Sequence, residues 1–488
     1  MVQGTASNAG KSLLAAGLCR IFAQDGLRVA PFKSQNMALN SFITREGLEM
    51  GRAQVMQAEA AGVEPSAAMN PILLKPTTET GSQVIVNGEV VGNLSAAEYF
   101  RYKKRLVPVV RAAYARLAAQ NDVVVIEGAG SPAEINLKQD DIVNMGMAAL
   151  AGAPVLLVGD IDRGGVFASL YGTVSLLAPE ERARVKGLLI NKFRGDVSLL
   201  KPGLSQLESL TGIPVLGVVP WMDVDLDDED SLAPRLSHRS AGAVDAAVVR
   251  LPHLANFTDF SALARVGIGV RYAASPEALG TPDLAVLPGT KNTMGDLRWL
   301  RQTGMETALQ KLAKSGVPLL GICGGYQMLG QSLADPDGAE GGGALPGMGL
   351  LPADTVFSPQ KTRTRAAGVV EPLPAPWAGL SGCTFTGYEI HMGRTRLREG
   401  ARPFAMLDGK PDGAVCGNVL GSYAHGLFDS GTLAAALAAL LHPARRGQAP
   451  APLPWAAYKE QQYDKLAAML RASLDMGAIY RMLGLGGR

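Results

Sequence analysis

In the stretch VPLLGICGGYQMLG (317–330) a single cysteine, Cys323, stands between an apolar run and two glycines. Such a run reads as strand, sharp turn and helix, which lifts the thiol onto a strained elbow. The glycines let backbone N–H groups approach an oxyanion, and the helix N-terminus favours thiolate. Two further segments supply what a nucleophile needs. LPGTKNT (287–293) follows another strand and offers loop amides at Gly289 and Thr290, to act with Gly324 as an oxyanion hole. SYAHGLFD places His425 near a strand end, in the position of a general base. The competing reading of Cys323 is a core thiol, since cysteine is among the most buried residue types. The neighbouring motifs favour the nucleophile.

A second chemistry is written at the other end of the chain. GTASNAGKSLL (4–14) precedes a helical pattern of Leu13, Leu14, Leu18 and Ile21. Glycine-loop amides and a helix N-terminus face an anion, while a lysine reaches the β/γ-phosphates and a hydroxyl reaches Mg²⁺. Thr5, Gly10, Lys11 and Ser12 are therefore the expected nucleotide contacts, with Ser12 also a metal ligand. The strict P-loop spacing asks for glycine where Thr5 stands, and Gly4 comes one residue early. The longer loop resembles the dethiobiotin-synthetase branch of P-loop proteins. Glu127 ends the buried strand of VVVIEGAG, where a second Mg²⁺ ligand belongs, because strand C-termini line the ligand crevice of doubly wound sheets. The resemblance implies further roles: Lys33 would hold the transferred phosphate and the substrate carboxylate, Glu49 would be another Mg²⁺ ligand, and Asn191 would read adenine. A surface lysine, a carboxylate complementing a helix dipole and a turn-forming asparagine are the respective alternatives.

The elements that must position these residues are legible as two α/β units. Apolar strand runs at 28–32, 122–128, 153–162, 186–193 and 213–220 alternate with helical patterns, the mark of βαβ units around a parallel sheet. An acidic and polar stretch follows, and strand patterns restart at 245–251, 283–289, 317–323 and 419–428. The expected organisation is a P-loop domain over 1–222, a linker over 223–243, an amidotransferase-like domain over 244–440 and a helical tail over 441–488 that packs back onto one of the domains. Gly/Pro-rich segments at 336–347 and 443–454 read as loops, and no internal repeat is present.

With 488 residues, 47% hydrophobic and 18% charged, the chain is long enough for two cores and too apolar for disorder. A net charge of +2 without a basic run argues for a small-molecule substrate rather than nucleic acid or a membrane surface. Cys19, Cys323, Cys383 and Cys416 are scattered, which excludes a zinc or disulfide framework and suits a reducing compartment. No signal pattern or membrane-length apolar run occurs, so the expected location is cytoplasmic. Among the other histidines, His391 in GYEIHMGRT is a candidate substrate contact or a structural residue, His253 reads as structural, and His238 and His442 read as loop residues.

The C-terminal constellation resembles class I glutamine amidotransferases, in which a cysteine attacks the glutamine amide and releases ammonia. Those enzymes orient the histidine through His-x-Glu, whereas position 427 is leucine; Asp429 is one candidate for the task, and weaker glutaminase turnover is the alternative. Joining an ATP loop to an ammonia source suggests a carboxylate activated as an acyl phosphate and then amidated. The ordered motifs GTASNAGKS, FKSQNMALNS, EMGRAQ, EGAGSPAEINL, DIDRGGVFA, NKFRGD, NFTDF, LPGTKNT, GICGGYQMLG, GYEIHMGRT and SYAHGLFD together resemble the cobyric acid synthase family over nearly the whole chain. That resemblance implies an α/β fold with an N-terminal P-loop parallel-sheet domain and a C-terminal class I amidotransferase-like domain. It implies ATP and Mg²⁺ as cofactors, glutamine and a corrinoid as substrates, and amidation of the b, d, e and g side chains of adenosylcobyrinic acid a,c-diamide. It also implies that Asp160, Asp162 and Arg163 handle substrate carboxylate or phosphate, against the alternative of an acid–arginine turn network. Ser34 and Asn8 depart from the proline and aspartate expected in the family, and neither change removes a phosphate contact. Cobyrinic acid a,c-diamide synthase shares both domain types, and a non-enzymatic P-loop switch with a partner-binding cysteine domain is the rival of another class. A homo-oligomer is compatible with the sequence.

Overall fold

Short apolar runs bounded by turn residues build two parallel sheets, each with its own core. The structure, a computed structural model, describes residues 1–488 apart from 78–80, 228–235, 237–241, 443–454 and 487–488. Most of the expected linker, the 443–454 loop and His238 thus lie outside the described residues.

In the N-terminal half, Val29–Phe32 pairs with Val123–Ile126, and Val2–Gly4, Val155–Asp160, Val185–Phe193 and Val215–Pro220 pair in that order, all in parallel. A bridge between Val2 and Glu127 joins the two sets. The first strand thereby lies at the centre, and the loop after it opens at the C-terminal edge of the sheet. The sequence does not announce the four-stranded insertion that follows, formed by Gln35–Met37, Ile72–Pro76, Gly81–Val86 and Glu89–Ser95.

In the C-terminal half, Val244–Val249 is flanked by Ile268–Ala273 and Leu284–Leu287, and the sheet continues in parallel through Leu319–Ile322 and Val419–Ser422. A long antiparallel pair, Ala353–Val370 with Thr384–Leu397, forms a second sheet. It was not foreseen because its polar alternation, as in KTRTRAAG, leaves no apolar run. The expected loop at 336–347 contains a strand, Gly343–Pro346, that pairs with Ser332–Asp335.

The tail packs on both halves. Trp455 is buried in the C-terminal core, and Tyr463, Leu466, Ala467 and Leu470 of the helix Trp455–Ser473 join the N-terminal core against Lys11–Gln24. Each such aliphatic side chain contributes ~1.5–3 kcal/mol by burial. The long antiparallel pair also reaches across: Lys361 Nζ lies 2.6 Å from Glu49, Arg363 pairs with Glu89, and Arg365 Nε donates to Ile43 O at 3.0 Å. Among the described residues no helix is long and apolar enough to cross a membrane.

Candidate active sites

Cys323 follows the strand Leu319–Ile322 with φ 51° and ψ −108°, backbone angles that side-chain-bearing residues rarely adopt. The elbow closes because Gly325 has no side chain: a Cβ there would overlap Leu287 O. The thiol is 6% exposed, and its Sγ lies 3.6 Å from Ile390 O. His425 is 1% exposed, lines the same cavity as Cys323 and interacts with it electrostatically, and its ring is stacked on Tyr388 at 5.3 Å. Gly289 and Thr290 line the same cavity as both residues, and Gly324 packs against Thr290.

The group that holds His425 is Asp259, not Asp429. Asp259 Oδ2 lies 2.7 Å from His425 Nδ1, and Oδ1 accepts the Gly426 N–H at 3.0 Å. Asp429 faces Arg52 and Lys459 electrostatically, and burial pushes its carboxyl up to about 7. Burial alone would lower His425, but the Asp259 carboxylate and Cys323 outweigh it and push the imidazole up to about 10. Thiol, imidazole and carboxylate are thus the candidates for nucleophile, base and orienting group of an acyl-transfer triad, with the imidazole–carboxylate contact formed. Asn256, in the left-handed region at φ 51°, faces His425 Nε2 at 3.4 Å and also accepts the Ser41 N–H at 3.0 Å, tying the site to the other half. His391 lines the thiol cavity with its ring stacked on Tyr423 at 3.7 Å. His253 lies 2.7 Å from Asp296 and is structural.

The second site is a crevice of about 810 Å³ above the N-terminal sheet, lined by Lys11, Ser12, Lys33, Glu127, Arg163 and Asn191. Gly10 has φ 94°, and a Cβ there would overlap the Asn191 amide, so the loop requires glycine at this position. Lys11 Nζ donates to Ala6 O at 3.0 Å and Gly130 O at 3.1 Å, drawing the loop against the turn after Glu127. Glu127 organises the floor: its Oε1 accepts from Ser12 Oγ and from Lys33 Nζ, both at 2.9 Å, and Oε2 accepts from Gln57 at 2.6 Å. A hydroxyl and a carboxylate this close, beside a phosphate-binding loop, form the small hard-oxygen set that Mg²⁺ takes before phosphate oxygens complete its shell. Asn191 Nδ2 donates to Ala9 O at 2.8 Å, and its buried Oδ1 has no hydrogen-bond partner among the described residues.

Three expectations for this crevice need correction. Thr5 continues the strand, its N–H bonded to Val158 O at 2.9 Å, and it does not line the crevice. Glu49 is no part of the Ser12–Glu127 cluster; it is fully buried at the domain seam between Lys75 at 2.9 Å and Lys361 at 2.6 Å, because two ammonium groups repay the desolvation of one carboxylate. Gln57 and Gln54, from the same stretch, reach Glu127 instead. Asp160 pairs with Lys192 at 2.7 Å and Asp162 with Arg194 at 3.4 Å, the turn network, so that only Arg163 of DIDR lines the crevice.

Comparison with known proteins follows the same division. Residues 1–231 match a family described as the CobQ/CobB/MinD/ParA nucleotide binding domain, and residues 245–433 match the CobB/CobQ-like glutamine amidotransferase domain. Over 498 aligned residues the chain is 55% identical to the cobyric acid synthase of Ruminiclostridium cellulolyticum, covering 100% of this chain and 97% of that one. It is 52% identical to that of Lachnoclostridium phytofermentans, with 100% and 99% covered, and 53% identical to that of Klebsiella pneumoniae, with 99% and 97% covered.

Proposed function

The chain belongs to the cobyric acid synthase family, and from that premise we propose that it amidates the b, d, e and g carboxylates of adenosylcobyrinic acid a,c-diamide to give adenosylcobyric acid. Membership makes it a glutamine-dependent amidoligase of cobalamin biosynthesis that uses ATP. The finer reading assigns ammonia release to the 244–440 domain and carboxylate activation to the 1–222 domain, with the 441–488 tail bracing them.

In the first reaction Cys323, as a thiolate whose proton His425 holds, attacks the glutamine amide carbon. His425 delivers that proton to the departing ammonia, and water then cleaves the thioester to release glutamate and restore the thiol. Asp259 keeps His425 Nδ1 protonated and stabilises the imidazolium. Amides at Gly289 and Gly324 receive the oxyanion. In the second, the crevice residues hold ATP and a corrinoid carboxylate so that the γ-phosphoryl passes to carboxylate oxygen, and ammonia then displaces phosphate from the acyl phosphate. Lys11 and Lys33 neutralise developing charge, Arg163 steadies phosphate or carboxylate, and Asn191 Oδ1 accepts from the adenine amino group. Mg²⁺, held by Ser12 and Glu127, would supply charge neutralisation on the phosphates.

The single observation that carries this reading is the Cys323–His425–Asp259 arrangement in one chain with a crevice floored by Ser12, Lys33 and Glu127. Mass analysis of the product formed from the a,c-diamide, glutamine and Mg-ATP tests it. Four successive acid-to-amide conversions are expected, and Cys323→Ala should need ammonium salt in place of glutamine. Conversion of the wrong carboxylates, or unchanged glutamine use by the variant, refutes it.

A further inference from the structure

We infer that the cavity over Cys323 selects glutamine by both of its α-substituents, Glu340 receiving the α-ammonium and Lys291 the α-carboxylate, an inference that rests on the glutaminase reading above. Apart from His425, the cavity is lined by the charged side chains of Lys75, Lys361, Lys291 and Glu340. Lys75 and Lys361 are both held in salt bridges to Glu49. Lys291 and Glu340 influence each other electrostatically, yet neither has an opposite charge within salt-bridge distance among the described residues. A zwitterionic ligand would meet both requirements at once.

Glu340 is presented by a built arm. The buried Asp335 carboxylate accepts the N–H groups of Ala339, Glu340 and Gly342 at 2.8, 2.7 and 2.7 Å, which folds the glycine-rich segment between Ser332–Asp335 and Gly343–Pro346 into a fixed loop. Glu340 Oε2 then accepts the Thr293 N–H at 2.7 Å, at the start of the helix Thr293–Gln302, and among the described residues Oε1 makes no further hydrogen bond. A carboxylate fixed so firmly beside a catalytic thiol, with a vacant oxygen, is an ammonium receptor rather than a solvated surface acid. Burial pushes its carboxyl up to about 7, the behaviour of an acid whose counter-ion arrives with the ligand.

Lys291 lies two residues before Thr293, whose N–H holds Glu340. Its own N–H is anchored on His253 O at 3.0 Å, and Thr290 beside it is anchored on Asp296. Gly289, two residues earlier on this loop, lines the cavity beside Cys323. An amide carbonyl near Gly289 and a carboxylate at Lys291 are thus served by a single loop, as the three-carbon separation within glutamine requires. The glutaminase would in this way reject side-chain amides within peptides, whose α-groups are blocked, and simple aliphatic amides, which lack them.

The test is ammonia release by the intact chain from glutamine, from glutaramate, which lacks the α-amino group, and from 4-aminobutanamide, which lacks the α-carboxylate. The wild type should favour glutamine over each analogue by about 10- to 100-fold in kcat/KM, because a buried charged group left unpaired is costly. Glu340→Gln, which keeps an oxygen for Thr293, should erase the preference over glutaramate and retain that over 4-aminobutanamide. Lys291→Met should do the reverse. Equal losses on all three amides, or no discrimination by the wild type, would overturn the inference while leaving the glutaminase intact. A wild type that amidates with ammonium yet releases nothing from glutamine would instead overturn the glutaminase reading, and this inference with it. Melting temperature monitors folding, and Glu340→Asp, which keeps the charge on a shorter stem, should recover part of the lost preference.

Discussion

Replacing Asp259 by asparagine isolates the hydrogen bond on which the proposed route of ammonia release depends. Asparagine retains an oxygen for the Gly426 N–H, 3.0 Å away in the native site, but turns an amide NH₂ towards His425 Nδ1, where Oδ2 now lies at 2.7 Å. The imidazole must then accept at Nδ1 and carry its proton on Nε2, the edge near Asn256, so it cannot take the thiol proton. The magnitude follows from how firmly the site holds the imidazolium. Losing the Asp259 carboxylate removes a charged hydrogen bond to the imidazolium, ~1.5–3 kcal/mol or about 10- to 100-fold in rate. The wrong tautomer carries the loss towards ~10,000-fold, the scale known for the equivalent change in a serine triad. Steady-state glutamate release measures it, with ammonium-dependent amidation as the internal control. Asp259→Asn retaining more than about a tenth of native glutaminase activity would refute the triad.

Lys11→Ala should abolish amide formation with either nitrogen source while glutamine hydrolysis persists; corrinoid amide in the product mass spectrum of that variant would refute the phosphate role. Glu49→Gln should lower the denaturant midpoint by the equivalent of ~3–5 kcal/mol, since it leaves Lys75 and Lys361 buried without their carboxylate; an unchanged midpoint would show that the seam does not carry this load. The same pair predicts an acid limit. Burial would raise the Glu49 carboxyl, but Lys361 and Lys75 hold it well below the usual range. Its stabilisation is therefore complete above the unfolded value of about 4.3 and fades as pH falls below that, so the wild type and Glu49→Gln should converge in stability between about pH 4.5 and pH 2.

What was legible in the sequence was what local chemistry dictates. The elbow at Cys323, the loop before Lys11 and the continuous apolar strands announce themselves because each is specified by residues within a few positions of one another. Asp259 was not legible as the histidine's partner: it sits 166 residues before His425 and meets it only because Phe257–Val266 is carried past the end of Val419–Ser422. The motif NFTDF marked the place without revealing the role. Glu49 misled for the complementary reason. A carboxylate ahead of a helix looks alike whether it faces a cation in a crevice or two lysines across a seam, and one of those lysines, Lys361, lies 312 residues away on a polar strand with no apolar signature. Glu340 was hidden in a stretch whose glycines read as a loop; its end is the strand Gly343–Pro346, and the rest is folded around the buried carboxylate of Asp335.

The seam between the halves explains why the two chemistries sit in one chain. Its adhesive part is small: Ile43, Tyr388 and Ile390 cluster with Phe42, whose ring meets Tyr388 edge-on at 5.4 Å. The rest is polar, with Glu49 between two lysines, Phe257 N–H on Asn40 Oδ1 at 3.2 Å and Tyr388 OH on Ser41 O at 3.1 Å. Burying such groups gives little net stability, but leaving any of them unpaired is costly, so a seam of this composition tolerates one docking geometry. That geometry has chemical content. Gln35 and Asn36 line the nucleotide crevice, while Ser41, a few residues on, binds Asn256, which touches His425. Tyr388 stacks on the same imidazole while its hydroxyl holds Ser41. Docking and the proposed glutaminase base therefore share hydrogen bonds, and a displacement of the segment 36–41 cannot occur without disturbing His425.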